Sequence, residues 1–204
     1  MQGPVSSSKG DRHILIVDRD NCVFWEIYDA RPQPDGSWKA GSGAIFDLTC
    51  NCLRPDGWTS ADVAGLAILP GLVRCEEVTS GEIRHALRFT AARTRNNAVW
   101  PARHFASNLT DPNLPPVGQR FRLKSGFSFS GFSHEAQVIL RALQEYGMML
   151  ADNGGAWFLS GTPNELWRNS VLGELKRVKG SDFEAVDVSD LFVARRSARA
   201  SVQR

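Results

Sequence analysis

A carboxylate between two aromatic residues is the feature of this sequence that most directly suggests chemistry. Glu26 shares one face of a predicted strand with Phe24 and Tyr28, because side chains alternate along a strand. Aromatic rings cover the apolar faces of sugars, and a carboxylate among them would act as an acid or a nucleophile. The pattern favours a saccharide-binding face. The alternative is that Glu26 is solvated or pairs with an arginine.

Glycoside hydrolysis needs a second carboxyl group, about 5–5.5 Å from the first for retention or about 6.5–9.5 Å for inversion. The candidate partners are Asp29, Asp47, Glu82 and Asp152. Asp152 begins an Asp-Asn-Gly-Gly run, so it is either a loop carboxylate at a cleft or part of a turn that ends a helix. The spacing along the chain does not choose between them.

A histidine and a set of arginines offer a different chemistry. His85 shares a predicted strand face with apolar residues, which indicates either a hydrogen-bonded core histidine or a general base in a cleft. Arg84, Arg88 and Arg122 lie on polar strand faces. If those strands were neighbours, the arginines would bind an anionic glycan such as a uronate, as a polysaccharide lyase requires. The alternative is a solvated sheet face.

The remaining candidates for substrate binding are Trp100 and His104, in a loop-like Trp-Pro-Ala-Arg-His run. No spacing of histidines or cysteines matches a common metal site, so no metal is expected. No Gly-x-Ser-x-Gly elbow, dinucleotide fingerprint or phosphate-binding loop occurs, and no cofactor is expected. The four cysteines are either partly buried thiols or include a disulfide.

The bulk composition is that of an ordinary globular protein. The 204 residues are 42% hydrophobic and 23% charged, with a net charge of +2, which gives no case for a nucleic-acid partner. No apolar run approaches the roughly 20 residues that span a bilayer, and the first ten residues have no signal-peptide core. The oligomeric state is left open.

The elements that would position these residues are mostly short strands. Two β-rich runs flank a polar turn between residues 10 and 30, which predicts a hairpin. Further strands are expected at 44–48, 82–90, 119–125 and 157–159, with helices after Ser133 and Thr162. The pattern predicts a mainly-β fold, a β-sandwich or jelly roll with two to three packed helices. Residues 1–10 would be a flexible leader, 11–190 a single domain and 191–204 a disordered basic tail.

Several motifs together resemble an uncharacterised family of bacterial proteins whose members are generally secreted. The motifs begin at Gly10 (Gly-Asp-Arg-His), Gly57 (Gly-Trp-Thr-Ser-Ala-Asp), Leu69 (Leu-Pro-Gly-Leu-Val-Arg), Gly81 (Gly-Glu-Ile-Arg-His-Ala-Leu-Arg-Phe-Thr) and Tyr146 (Tyr-Gly-Met-Met-Leu-Ala-Asp-Asn-Gly). The resemblance implies a secreted or periplasmic location and no particular activity.

These observations lead to the hypothesis of a secreted, carbohydrate-active protein. A glycoside hydrolase centred on Glu26, with polysaccharide as substrate, is the first interpretation. A polysaccharide lyase that uses His85 is the second, and a non-catalytic carbohydrate-binding or envelope-structural module is the third.

Overall fold

The computed structural model describes residues 10–201. Most of the predicted leader and residues 202–204 of the predicted tail lie outside this range. The strands are β1 (Ile14–Asp18), β2 (Val23–Tyr28), β3 (Arg31–Pro32), β4 (Trp38–Lys39), β5 (Ser42–Asp47), β6 (Leu87–Ala91), β7 (Arg95–Ala98), β8 (Pro116–Val117), β9 (Arg120–Leu123), β10 (Met148–Asn153), β11 (Phe158–Leu159) and β12 (Phe183–Val186). The α-helices are α1 (Cys75–Ser80), α2 (His134–Glu145) and α3 (Asn169–Glu174).

The predicted hairpin forms the start of a three-stranded antiparallel sheet in the order β1-β2-β5. Polar residues join the first two strands, and Asp18 accepts hydrogen bonds from the backbone of Asp20 and Asn21 at 3.1 and 3.0 Å. This side-chain-to-backbone bonding is what makes Asp a turn residue. The sheet carries Glu26 on its buried side.

The larger sheet has five strands in the order β11-β6-β10-β9-β12. Its centre is a parallel pair, β6 and β10, and its other pairs are antiparallel. One face packs against α2 and forms the main apolar core, which includes Leu87, Phe89, Leu123, Ile139 and Leu150. The opposite face of β6 carries the polar site described below.

Helix α2 begins where the sequence predicts. It ends at Glu145, well before the predicted turn at Asp152, because residues 148–153 form strand β10. Ser133 is its N-cap, and its side chain accepts a hydrogen bond from the Ala136 N–H. The buried residues Ala136, Ile139, Leu140 and Leu143 recur at three- and four-residue spacing, so one stripe of the helix faces the sheet. The short helix α1 ends at Gly81, whose φ of 92° is a left-handed conformation that glycine adopts freely.

The mainly-β prediction is confirmed, with three α-helices over the described residues. The finer expectation of a jelly roll implies antiparallel strands, whereas β6 and β10 run parallel. Two element predictions differ from the structure. The strand expected at 82–90 begins only at Leu87, and the helix expected from Thr162 begins at Asn169.

Part of the segment predicted as a disordered tail makes defined contacts. Leu53 N–H donates to the Arg196 carbonyl at 2.9 Å, and the Trp100 indole N–H donates to the Ser197 carbonyl at 2.9 Å. The Arg103 side chain donates to the Arg195 carbonyl at 2.9 Å. One backbone N–H and two side chains of the domain thus donate to the carbonyl groups of residues 195–197. This part of the predicted tail therefore packs against the segments that carry Leu53, Trp100 and Arg103.

Cys50 and Cys52 form a disulfide, while Cys22 and Cys75 are free thiols.

Of the helices among residues 10–201, none has the length and apolar character needed to cross a membrane.

Candidate functional site

A cavity of about 470 Å³ lies on the polar face of β6, between β1, the end of β10 and residues 158–163. Its size is within the range of about 300–1,000 Å³ that is typical of small-molecule sites. The ionisable side chains that line it, among the described residues, are Asp11, His13, Arg88 and Asp152.

A buried ion pair forms one wall of this cavity. The Arg88 side chain donates two hydrogen bonds to Asp62 Oδ2, from Nη2 at 2.8 Å and from Nε at 3.2 Å, and a third to Ser160 Oγ at 2.6 Å. Asp62 Oδ1 accepts from the Ala64 N–H at 2.8 Å. Gly71 leaves room for Arg88, since a Cβ at Gly71 would lie 3.0 Å from the Arg88 Cβ. The pair is held rigidly by bonds on both partners.

Burial raises the pKa of Asp62 to about 6, and the charge of Arg88 opposes this rise. A fully buried carboxylate is otherwise costly, and a paired, hydrogen-bonded partner is what keeps it ionised. Asp62 therefore supplies a fixed negative charge behind the cavity at neutral pH.

Asp152 reaches the cavity through an irregularity in β10. Its neighbour Leu150 pairs with Phe89, and Asp152 pairs with Thr90, so one residue, Ala151, is extra between them. The bulge moves Asp152 onto the same face as Thr90, whereas regular alternation would place it beside Leu150 in the apolar core. Burial raises the pKa of Asp152 to about 6, and the nearby charge of Asp62 raises it further while Arg88 lowers it.

His13 also lines the cavity, just before β1. Burial lowers the pKa of this imidazole below 6.5, and the charge of Arg88 lowers it further, against an opposing contribution from Asp11. The imidazole is therefore neutral over most of the physiological range. Its ring lies 5.6 Å from the Tyr28 ring.

Glu26, the centre of the sequence prediction, is buried and does not line the cavity. Its two carboxylate oxygens accept hydrogen bonds from the backbone N–H groups of Ala61 and Ile68, at 3.0 and 2.9 Å. Burial raises its pKa, and the bond from Ile68 opposes the rise. Glu26 joins the small sheet to the loop that carries Asp62, so it positions the site from behind.

The other predicted residues of the small sheet are also apart from the cavity. Phe24 is buried and stacks on Phe46, with ring centroids 5.9 Å apart. Asp47 is exposed at the end of β5 and accepts from the Thr49 N–H at 2.8 Å. Tyr28 lies at the end of β2 and is 40% exposed. The three side chains therefore do not form a common ligand surface with Glu26.

The predicted histidine and arginine candidates divide among different surroundings. His85 contacts Glu77 Oε2 at 3.1 Å, Arg84 pairs with Glu82 at 2.8 Å and Arg122 pairs with Glu184 at 2.6 Å. Strands β6 and β9 are separated by β10, so no continuous arginine surface forms.

The two loop candidates have structural partners. Trp100 binds the Ser197 carbonyl, as described above, and His104 Nδ1 lies 3.0 Å from the Val63 carbonyl. Of the predicted site residues, the structure brings only Arg88 and Asp152 into the cavity.

His13, Asp62 and Ser160 were not among the predicted site residues. The sequence did contain a signal for the first two, because both belong to motifs quoted above, Gly-Asp-Arg-His and Gly-Trp-Thr-Ser-Ala-Asp. The cavity gathers residues from four of the motifs, which begin at Gly10, Leu69, Gly81 and Tyr146. Ser160 is in none of them.

Over residues 10–201 no group of three or more histidine, cysteine or acidic residues is placed to hold an ion.

Comparison of the chain with protein-family models, with curated proteins and with solved structures finds no match.

Proposed function

We propose that the protein is a glycoside hydrolase in which Asp152 is the general acid. The observation that carries this proposal is the placement of one partly buried carboxyl group, with a pKa raised to about 6, on a small-molecule cavity beside a fixed ion pair. A catalytic acid must be protonated in a useful fraction of molecules near the working pH, and burial is the usual means.

The base in this proposal is His13, supported by Asp11. With ordinary pKa values, a molecule rarely has a protonated carboxyl group and a neutral imidazole at the same time. As the pH rises, the carboxyl group loses its proton before the imidazole does. Here burial raises the pKa of Asp152 and lowers that of His13, so the two required states occur together in a larger fraction of molecules than they would for unperturbed groups. Water would lose a proton to His13 and attack the anomeric carbon, while Asp152 protonates the departing glycosidic oxygen.

A sugar is the substrate class that best fits the rim of the cavity. Phe158 is 66% exposed and lines the rim, where its ring would cover an apolar sugar face. Asn153 and Thr90 also line the cavity. The Thr90 hydroxyl donates to the Gly155 carbonyl at 2.7 Å, and its oxygen lone pairs can accept a hydrogen bond from a sugar hydroxyl group. A polysaccharide substrate would accord with the secreted or periplasmic location, which stays a prediction.

The geometry favours hydrolysis over the lyase reaction. A lyase needs a cation free to neutralise a uronate carboxylate, and Arg88 already makes three hydrogen bonds to Asp62 and Ser160. The cavity also has carboxyl groups on or behind its wall, Asp11, Asp62 and Asp152, and each of them that is ionised repels a uronate carboxylate. A neutral glycan is therefore the expected substrate.

The test is incubation with a panel of neutral and acidic polysaccharides, with reducing ends and ultraviolet absorbance measured together. We expect new reducing ends without absorbance, a rate that falls as the pH rises above about 6 and Asp152 loses its proton, and a loss of about 10²–10⁴-fold in Asp152→Asn and His13→Gln. Matched controls are Asp47→Asn and His85→Gln, which lie outside the cavity and should retain activity.

Other outcomes would contradict the proposal. Reducing ends with absorbance would indicate a lyase, and retention of glycan without turnover would indicate a binding module. Equal losses in the cavity variants and their matched controls would show that the cavity is not the site.

A further inference from the structure

A second, larger cavity lies on the apolar side of the five-stranded sheet. Its volume is about 670 Å³, and its walls come from α2, α3 and the segment 156–163. The residues that make its apolar walls are Val73, Ile139, Leu140, Leu143, Met148, Trp157, Trp167, Leu172, Leu175 and Phe183. Residues 158–163 also line the first cavity, but the walls from α2 and α3 take no part in the proposed hydrolase reaction.

The walls offer little to a polar ligand. The Trp167 indole N–H already donates to the Thr162 carbonyl at 2.8 Å, and Ser160 Oγ accepts from Arg88. The Trp157 ring stacks between Phe89 and Phe183, with centroid distances of 5.3 Å to each. An occupant must therefore be apolar along most of its length, because its polar groups would lose water without gaining partners.

The mouth of the cavity is positively charged. Lys176 and Lys179 line it and are exposed, and neither forms an ion pair within residues 10–201. Two acidic residues close in sequence have backbone partners: Asp182 accepts from the Lys179 backbone N–H at 2.7 Å, and Glu174 from the Ser133 N–H at 2.7 Å. The two ammonium groups are therefore available to an anion.

We propose that this cavity binds a single-chain amphiphile with an anionic head group, such as a fatty acid. The chain lies among the apolar walls, and the head group meets Lys176 and Lys179 at the mouth. The volume suits one small ligand and not a protein segment. The proposal does not rest on the hydrolase proposal, because Leu172, Lys176 and Lys179 line this cavity and not the first one, and because it is measured by binding and not by turnover.

The first test is titration with octanoate, decanoate and dodecanoate below their micelle concentrations. Trp157 and Trp167 line the cavity, so tryptophan fluorescence reports occupancy directly. We expect the affinity to rise about fourfold for each added methylene, the value for transfer of that group from water to an apolar environment. An affinity that does not change with chain length would overturn the proposal.

The second test separates the chain from the head group. Lys176→Glu should weaken dodecanoate binding about fivefold, and Lys39→Glu, a matched reversal on β4, should leave it unchanged. Dodecanol should bind the unaltered protein more weakly than dodecanoate. Equal affinities for the acid and the alcohol would show that the lysines do not select the head group.

The third test fills the cavity. Leu172 lines it from α3, so Leu172→Trp should abolish dodecanoate binding. Leu166→Trp is the matched control, because Leu166 is 74% exposed and outside the walls. Unchanged binding in the folded Leu172→Trp variant would place the ligand elsewhere, and the wild-type chain-length series remains decisive if this variant does not fold.

Discussion

The two faces of β6 show opposite ways of building a protein interior. Leu87 and Phe89 point to one side and pack against α2, where the neighbours are aliphatic and aromatic. Arg88 points to the other side and meets the carboxylate of Asp62, with Glu26 and Ser60 also fully buried nearby. Alternation along one strand thus separates an apolar core from a charged one.

The two faces of β6 differ in how their contacts contribute to the stability of the protein. On the apolar face many interchangeable contacts add up, and the loss of one is tolerated in proportion to its area. On the charged face each group depends on a particular partner, because an unpaired buried charge costs several kcal/mol. A substitution on the charged face is therefore expected to lower the free energy of unfolding more than a substitution of similar size on the apolar face.

The largest expected effect comes from removal of the cation on the charged face. Arg88→Met leaves Asp62 buried and unpaired, and the free energy of unfolding should fall by about 3–5 kcal/mol. Arg122→Met, in which an exposed ion pair with Glu184 is lost, should cost less than about 1 kcal/mol. Urea unfolding at pH 7.5 measures both.

A double substitution sharpens this result. Arg88→Met combined with Asp62→Asn should recover part of the lost stability, because the unpaired charge is gone. Additive losses in the double variant would show that the two side chains do not interact.

The next effect concerns Glu26, whose carboxylate joins the three-stranded sheet to the loop that carries Asp62. Glu26→Ala leaves the backbone N–H groups of Ala61 and Ile68 without acceptors in a buried place, and the free energy of unfolding should fall by about 2–4 kcal/mol. Glu184→Ala, an exposed control, should cost less than about 1 kcal/mol. Thermal unfolding compares the two, and similar losses would mean that the interior tolerates unpaired N–H groups.

The smallest effect is a gain in stability with a defined pH dependence. The pKa of Asp152 is raised from 3.8 to about 6 on folding, so the native state binds more protons and stability falls as pH rises between these values. At pH 7.5 Asp152→Asn should therefore be more stable than the unaltered protein by about 1–2 kcal/mol, after allowance for partial exposure.

The gain should shrink as the pH falls below 6 and should be mostly lost by pH 4, because the carboxyl group is then neutral in the folded state and only about half ionised in the unfolded state. Urea midpoints across pH 4–8 measure the difference. If Asp152→Asn is more stable at pH 7.5 and has lost turnover, the carboxyl group lowers stability at the site where it is needed for function. A difference in unfolding free energy that stays constant across this pH range would exclude a raised pKa of Asp152.

Much of the secondary structure could be predicted from the sequence. The hairpin, β5, β9 and α2 are where the hydrophobic pattern and the Ser133 cap predict them, because period and capping are local signals. Strand β10 was missed, since the apolar run Met148–Ala151 follows a helix directly and a short apolar run does not distinguish strand from helix.

The charged face follows from the sequence only in part. Glu26 lies between aromatic residues as predicted, but the loop that covers it is separated from it by over 30 residues, so its burial is a property of tertiary packing. Asp62 gave no periodic signal, because it lies in an irregular loop. Arg88 and Asp152 were predicted as site residues, but the cavity they share depends on the parallel pairing of β6 and β10.

The extra residue in β10 has a consequence for how such a site arises and disappears. Loss of the Ala151 codon would place Asp152 directly after Leu150, where regular alternation still turns its side chain to the face of Thr90. One further codon inserted between Leu150 and Asp152 would instead turn the carboxyl group towards the helix-covered core. The bulge therefore makes this wall of the cavity tolerant of a one-codon deletion and sensitive to a one-codon insertion at the same place.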